Sequence, residues 1–552
     1  MDIIFWNGKI VTMDPALPVV QAAAVKNGVI LALGRDEEVL ALAGPDTRRA
    51  DLGGRLMLPG FCDSHMHLLS YGYGLEKVAL GGAAGIPELV ELGQRALARH
   101  PERPWLQGRG WNEERWADRT MPTRRDLDRI STEVPVSFTR WCSHMTVVNS
   151  KALERMGVDR DTPDPEGGRI QRDAAGRPTG LLVDAAQELV YRAIPPLTGE
   201  DIRRMLIRGG EDALRCGITS VHSDDLEAVT EREHGLVLDA YRELALDGRL
   251  PLRVYEQCRL PRIELLRSFL DQGHTMGEGA GRFRIGPLKL LCDGGLSDRT
   301  ALLTRPYADR PDTCGTAVYT QEALNELVET AHAAGMASAL HSIGDGSMDM
   351  CLEAIERAME RFPRPDMRHS IIHCQITRPD QLRRLRDRKI VAHIQPVFID
   401  YDHTFVRDRV GEERERTSYN WRTMADLGVH YACGSDCPVE PFGVMRGIYC
   451  AVTRRGTAGG PPGGWLPEQA LTVRQAVYGA TLGGAYAAHE DHIRGSLEVG
   501  KLADMAVLER DIFTIPPDEI KDVRVDMTVL GGRMSCRRPA ASLKEVRRTS
   551  SP

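Results

Sequence analysis

Several things are scarce or missing in this sequence, and each closes off a class of function. No C-x-x-C pair occurs among its 12 cysteines, which are scattered through 552 residues. A disulfide scaffold belongs to much smaller secreted chains, so a reducing, cytoplasmic setting is expected. There is no surplus of basic residues: the formal net charge is -7, which excludes the electrostatic footprint of a nucleic-acid binder. No apolar run approaches the roughly 20 residues of a membrane span. The opening Met1-Asp2-Ile3-Ile4-Phe5-Trp6 has no basic segment followed by an apolar one, so no signal peptide is expected. No Gly-rich phosphate loop follows an early strand, which weighs against a doubly wound dinucleotide fold.

What is present is ordinary folded material, 42% hydrophobic and 27% charged. The length suits one large enzyme-type domain plus an accessory module. The chain begins as β structure: residues 3–13 read as a strand, and Asn27-Gly28 sits as a turn between apolar stretches. It ends the same way, with Met505-Ala506-Val507-Leu508, then residues 523–530 and the turn Gly531-Gly532. Two such ends are each too small to bury a face alone, so residues 1–57 and 495–540 are expected to form one composite β-sandwich.

Between them, helical patterns alternate with short apolar runs. Helices are predicted at 321–335, 348–359 and 379–388, each followed by a strand, at 336–340, 370–372 and 390–394; another strand covers 429–433. This repetition predicts an α/β fold, a (β/α)8 TIM-type barrel over 58–494. Residues 101–184 break the alternation with Trp105, Trp111, Trp116 and Trp141 and a Pro- and Gly-rich turn, and read as an insertion after the first barrel strand. Residues 541–552 read as a flexible tail.

The densest chemical signal is His65-Met66-His67. Histidines at i and i+2 of an extended segment share a face and can reach one cation; Asp63 lies on that face too. Four further residues sit where a barrel places its catalytic groups, at strand ends. Lys289 interrupts an apolar run, His341 and His373 each end one, and Asp436 follows 429–433 in Gly434-Ser435-Asp436. Singly, each has a plain reading: a satisfied core histidine, a lysine that snorkels outward, an Asx-turn aspartate. Their strand-end order joins them. A buried Lys289 with a neutral amine could also take up CO₂, giving an anionic carbamate able to bridge two cations.

With these residues in hand, Leu58 to His67, the His341 and His373 strands, Gly434-Ser435-Asp436 and the closing Gly495-Ser496-Leu497-Glu498-Val499-Gly500-Lys501-Leu502-Ala503-Asp504 resemble the amidohydrolase superfamily. The branch is amidohydrolase family 3, which includes N-substituted formamide deformylase. Residues 122–128, 148–153 and 293–301 extend the resemblance over nearly the whole chain.

It implies a metal-dependent hydrolase of C–N bonds of the amide or N-formyl type, other than peptide bonds, working through metal-activated hydroxide. His65 and His67 would hold one metal, carboxylated Lys289 would bridge, and His341 and His373 would hold a second. Asp436 would be both ligand and proton shuttle. The implied cofactor is Zn²⁺, as one or two divalent ions. One departure is Ile372, where related sequences often carry Glu just before the last histidine. Deamination or cyclic-amide hydrolysis on the same site is the alternative reaction, and a catalytically silent regulatory or binding protein is the alternative class. Trp111 and His144 are expected at the substrate and Arg299 at a substrate carboxylate, against the competing reading of such tryptophans as core. The expected partner is a small-molecule substrate, with no nucleic acid and no membrane; a homodimer is admitted without a named interface.

Overall fold

Eight parallel strands order the chain's chemistry, as seen in a computed structural model that describes residues 1–226 and 234–537. They are β1 (Phe61–Met66), β2 (Ile218–Ser223), β3 (Arg253–Arg259) and β4 (Phe283–Leu291). Then come β5 (Ser338–Ser342), β6 (Ser370–His373), β7 (Val391–Ile394) and β8 (Tyr431–Cys433). They are hydrogen-bonded in chain order from β1 to β8. Each is buried along nearly its whole length, because helices cover a parallel sheet outside while side chains fill it inside.

The helices form for local reasons. Gln321–Ala333 starts at Thr320, whose side chain accepts the Ala323 N–H, and buries Leu324, Leu327, Val328 and Ala331 along one stripe. Gly335 follows in the left-handed region, at φ 81°, and turns the chain into β5. The strand predicted at 336–340 therefore starts two residues later, at Ser338, which carries His341 inside it. The other predicted helices appear as Asp345–Arg361 and Pro379–Asp387.

The barrel is nearly closed, and its seam is made just past the strands. The Asp436 N–H donates to the His65 carbonyl at 2.8 Å, and the His67 N–H to the Cys437 carbonyl at 2.7 Å. Asp63 ties the same two segments: its carboxylate accepts the Ser435 N–H at 2.9 Å and the Ser435 hydroxyl at 2.5 Å. Gly434 makes this approach possible, since a Cβ there would lie 2.6 Å from the His65 nitrogen.

The two chain ends form sheets of four and six strands. Ile3–Trp6 pairs with Ala22–Lys26, which turns through Asn27 and Gly28, both at positive φ, into Val29–Gly34. In the second sheet Met505–Leu508 pairs antiparallel with Leu56–Pro59, so the end of the chain lies on its beginning. Phe5, Ile10, Val25, Met57, Val507 and Val529 share one core there.

A separate compact unit covers residues 72–205, wider at both ends than the 101–184 that composition marks. It has its own six-stranded sheet and its own apolar core, which includes Trp111, Trp116 and Phe138. The tail expected from 541 lies outside the described residues.

The seam yields a paired prediction. Gly434→Ala should lower unfolding free energy by about 1–3 kcal/mol through overpacking. Gly447→Ala, in the helix Val444–Thr453 where a Cβ meets nothing within 4 Å, should instead raise it by up to about 1 kcal/mol. Thermal melts of both variants check this; equal melting temperatures would contradict the seam's tightness.

Candidate metal centre

The strand ends bring His65, His67, Lys289, His341, His373 and Asp436 into one cluster. The ring centroids of His65 and His67 are 5.3 Å apart, those of His65 and His373 5.9 Å, and those of His341 and His373 4.5 Å. Asp436 Oδ1 lies 3.2 Å from His67 Nε2 and 3.4 Å from His65 Nε2. Lys289 Nζ, fully enclosed in β4, lies 3.2 Å from His65 Nε2. The ligand atoms of His65, His67 and Asp436 all fall within 4.8 Å of one another.

Each of the four imidazoles is oriented by an acceptor at Nδ1. His65 Nδ1 is 2.6 Å from Gln257 Oε1, and His67 Nδ1 is 2.8 Å from the Asp224 carbonyl. His341 Nδ1 is 3.0 Å from Asp293 Oδ1, and His373 Nδ1 is 2.9 Å from Gln395 Oε1. An acceptor at Nδ1 puts the proton there and leaves the Nε2 lone pair for a cation, the outer arrangement of a ligating histidine. The glutamines are themselves held, Gln257 by donating to the Ser64 carbonyl and Gln395 to the His393 carbonyl, each at 3.3 Å. Asp293 also accepts the backbone N–H groups of Leu302, Ile343 and Gly344 and the Ser347 hydroxyl.

The electrostatics suit a cation. Burial, and after it neighbouring positive groups, hold His65 and His373 well below the usual imidazole range, so both stay neutral and able to ligate. Burial also disfavours the His67 cation, but the Asp436 bond and the nearby Asp224 outweigh it and lift His67 to about 9, so a metal ion would have to displace the Nε2 proton that Asp436 stabilises. Asp436 is held below the usual carboxylate value: burial opposes its charge, and His67, His373 and Lys289 overcome that opposition. Burial lowers Lys289 despite Asp224.

Two further signs point to a group that this protein chain does not itself supply. Both carboxylate oxygens of Asp224 are buried without a hydrogen-bond partner among the described residues, 3.7 Å from Lys289 Nζ at the nearest. His373 and Asp436 adopt positive φ, 82° and 60°, a conformation costing about 1–3 kcal/mol per residue unless the surroundings impose it. Four oriented imidazoles, one shared carboxylate and a buried acid whose carboxylate makes no hydrogen bond among the described residues fit a divalent cation.

The residues expected at the substrate have partners of their own. Trp111 is fully buried in the core of the 72–205 unit, and its Nε1–H donates to the Phe138 carbonyl. It is therefore a packing side chain there, as are Trp105 and Trp116; Trp141 is exposed. His144, in the same unit, is exposed and lies 3.0 Å from Asp184. Arg299 follows β4 and commits its guanidinium to Asp309 at 2.7 Å. Ile372 is buried beside His373. Sequence reasoning missed Gln257, Gln395 and Asp224 as orienting groups. The signal was available, since Gln395 closes an apolar run ahead of Pro396, in the manner of His341 and His373.

Known proteins resemble the chain over nearly its whole length. A family model described as "Amidohydrolase family" matches residues 49–535. The chain is 33% identical over 537 residues to "Putative amidohydrolase YtcJ" of Bacillus subtilis (strain 168), covering 97% of this chain and 99% of that one. It is 27% identical to N-substituted formamide deformylase of Arthrobacter pascens, covering 96% and 97%. A crystal structure described as an uncharacterized metal-dependent hydrolase from Pyrococcus furiosus superposes with a TM-score of 0.76 at 29% identity, over 93% of this chain and all of that one.

The orienting bonds give a prediction. Gln395→Leu frees His373 Nδ1 and should weaken divalent-metal affinity about 10–100-fold, measured by competition with a chromophoric chelator. Unchanged affinity would mean that His373 takes no part in holding metal.

Proposed function

The chain belongs to the amidohydrolase family and is a metal-dependent amidohydrolase acting on C–N bonds other than peptide bonds; from that premise we propose that it hydrolyses an amide or N-formyl bond of a small molecule. In this reading His65, His67 and Asp436 would hold one divalent ion, and His341 and His373 would hold a second where two are bound, with zinc as the metal. Lys289, were its neutral amine to add CO₂ and release a proton, would supply a carbamate able to hold both. Its burial in β4 and lowered basicity support that step. When bound, such ions activate water and polarise a carbonyl oxygen.

The observation that carries the proposal is the position of Asp436. One of its oxygens lies within 3.4 Å of two imidazole nitrogens, and its backbone is held by the His65 carbonyl in a conformation few aspartates adopt. Asp436 can thus accept a proton from the attacking water and return it to the departing nitrogen. The carbon–oxygen bond forms as the carbon–nitrogen bond breaks. The products are an amine and a carboxylic acid, formic acid for an N-formyl substrate. The orienting bonds to Gln257, Asp224, Asp293 and Gln395 keep the imidazoles from turning during these transfers. No helix among the described residues is long and apolar enough to cross a membrane.

Asp436→Asn should lower kcat by about 10²–10⁴-fold while the histidines retain most of the metal. Turnover of N-substituted formamides and simple amides, followed by amine and formate release, together with elemental analysis, checks both halves. Loss of metal in proportion to activity would reduce Asp436 to a ligand. Ammonia release from a heterocyclic amine, with no amide turned over, would replace amide hydrolysis by deamination.

A further inference from the structure

A second charged cavity lies at the other end of the barrel, and the metal centre makes no use of it. It encloses about 230 Å³ and is lined by Arg253, Arg282, Arg284, Arg494 and Glu490. Arg253 opens β3, while Arg282 and Arg284 flank the first residue of β4. Lys289 lies five residues beyond Arg284 along β4, about 16 Å at the rise of a strand. The cavity is thus at the N-terminal ends of the strands, away from the face where barrels do their chemistry.

Its charges do not balance. Arg253 is neutralised by Asp504, at 2.7 and 3.1 Å. Arg494 is paired with Glu490 and also donates to the Ser220 hydroxyl at 2.8 Å. Arg282 and Arg284 have no carboxylate within ion-pair distance among the described residues. Arg282 donates to the Leu250 carbonyl at 2.8 Å, and Arg284 to the Phe283 carbonyl at 2.8 Å. A guanidinium has five N–H groups, so these carbonyl bonds leave donors over on both. Burial, and then the charge of Arg253, pull Arg282 below the usual guanidinium value. Two half-buried guanidinium groups with donors left over in one recess present an electropositive surface to an anion.

We propose that this recess binds a small oxyanion of the phosphate type, held mainly by Arg282 and Arg284 with Arg253 and Arg494 at its flanks. Arginine suits such a ligand because its planar fork matches tetrahedral oxyanions. The cavity is smaller than the ~300–1,000 Å³ of sites for drug-sized ligands, which favours a free ion over a nucleotide. Glu490 does not oppose the anion, since Arg494 already neutralises it. The anion would join the starts of β3 and β4 to the segment that carries Glu490 and Arg494 and runs on, through Asp504, to the strand Met505–Leu508. It would therefore tie the bottom of the barrel to the sheet made from the chain ends, and act on stability rather than on the reaction.

The test is equilibrium dialysis of the full-length, metal-loaded protein against radiolabelled inorganic phosphate, at ionic strength fixed with potassium chloride. The expected result is one phosphate per chain and a melting temperature that rises with phosphate. Arg282→Gln/Arg284→Gln should weaken that binding at least tenfold and abolish the rise, with amide turnover unchanged. Should the double variant fold poorly, each single substitution should weaken binding severalfold by itself. Two results would overturn the proposal: no phosphate retained by the wild-type chain at millimolar concentration, or binding undiminished in the double variant, which would place the phosphate at the metal centre.

Discussion

The structure depends on one closure, the joining of β8 to β1. His65 and His67 of the first strand and Asp436 after the last lie almost a whole barrel apart in sequence. They meet because the Asp436 N–H reaches the His65 carbonyl and the His67 N–H reaches the Cys437 carbonyl. Asp63 fastens this seam from inside. Burial lifts its carboxyl to about 6 even though the Ser435 bonds favour the charged form. A buried acid retained at that cost makes sense where it fixes two backbones at once. The conformation of Asp436 follows: positive φ is tolerated because the seam over-determines it.

From that closure the division of labour around the centre can be read. The strand ends supply nitrogen and oxygen atoms for a cation. A surrounding layer, Gln257, the Asp224 carbonyl, Asp293 and Gln395, decides which nitrogen each imidazole presents. Asp293 does more, because it also gathers the backbone of Leu302, Ile343 and Gly344 and so shapes the turn after β5. Rigidity matters here: a ligand set held by fixed acceptors keeps its geometry when charge develops on the reacting carbonyl. Asp224 is a different case, a buried acid with no hydrogen-bond partner for its carboxylate among the described residues and a lysine nearby. Such a group is costly in an isolated chain and natural beside a bound cation.

Much of this was legible in the sequence, for a definite physical reason. A parallel strand buried on both faces is written as an apolar run, so a His, Lys or Asp at its end stands out. That contrast marked His65, His67, Lys289, His341, His373 and Asp436, and the alternation of runs with amphipathic stretches marked the barrel. The orienting residues were harder to see. A glutamine at a strand end is an ordinary residue until the histidine it meets is known, and Gln257 meets one on another strand, 192 residues away. Trp111 had two readings in the sequence, substrate contact and core. A tryptophan in an irregular stretch suggests a pocket, yet the stretch has its own sheet and core, and Trp111 fills that core. The unit over 72–205 also takes in the helix Ile86–Arg99, which buries Leu89, Val90 and Gly93 along one side as a barrel helix does.

The central claim is that the strand-end cluster is a metal centre, and a count of tightly bound metal tests it most directly. Protein purified with bicarbonate and without chelator would be measured by elemental analysis, beside Lys289→Ala. The account predicts about two divalent ions per chain, falling in the variant as the bridging group is lost. A chain with no metal, and none taken up on incubation with Zn²⁺, would contradict it.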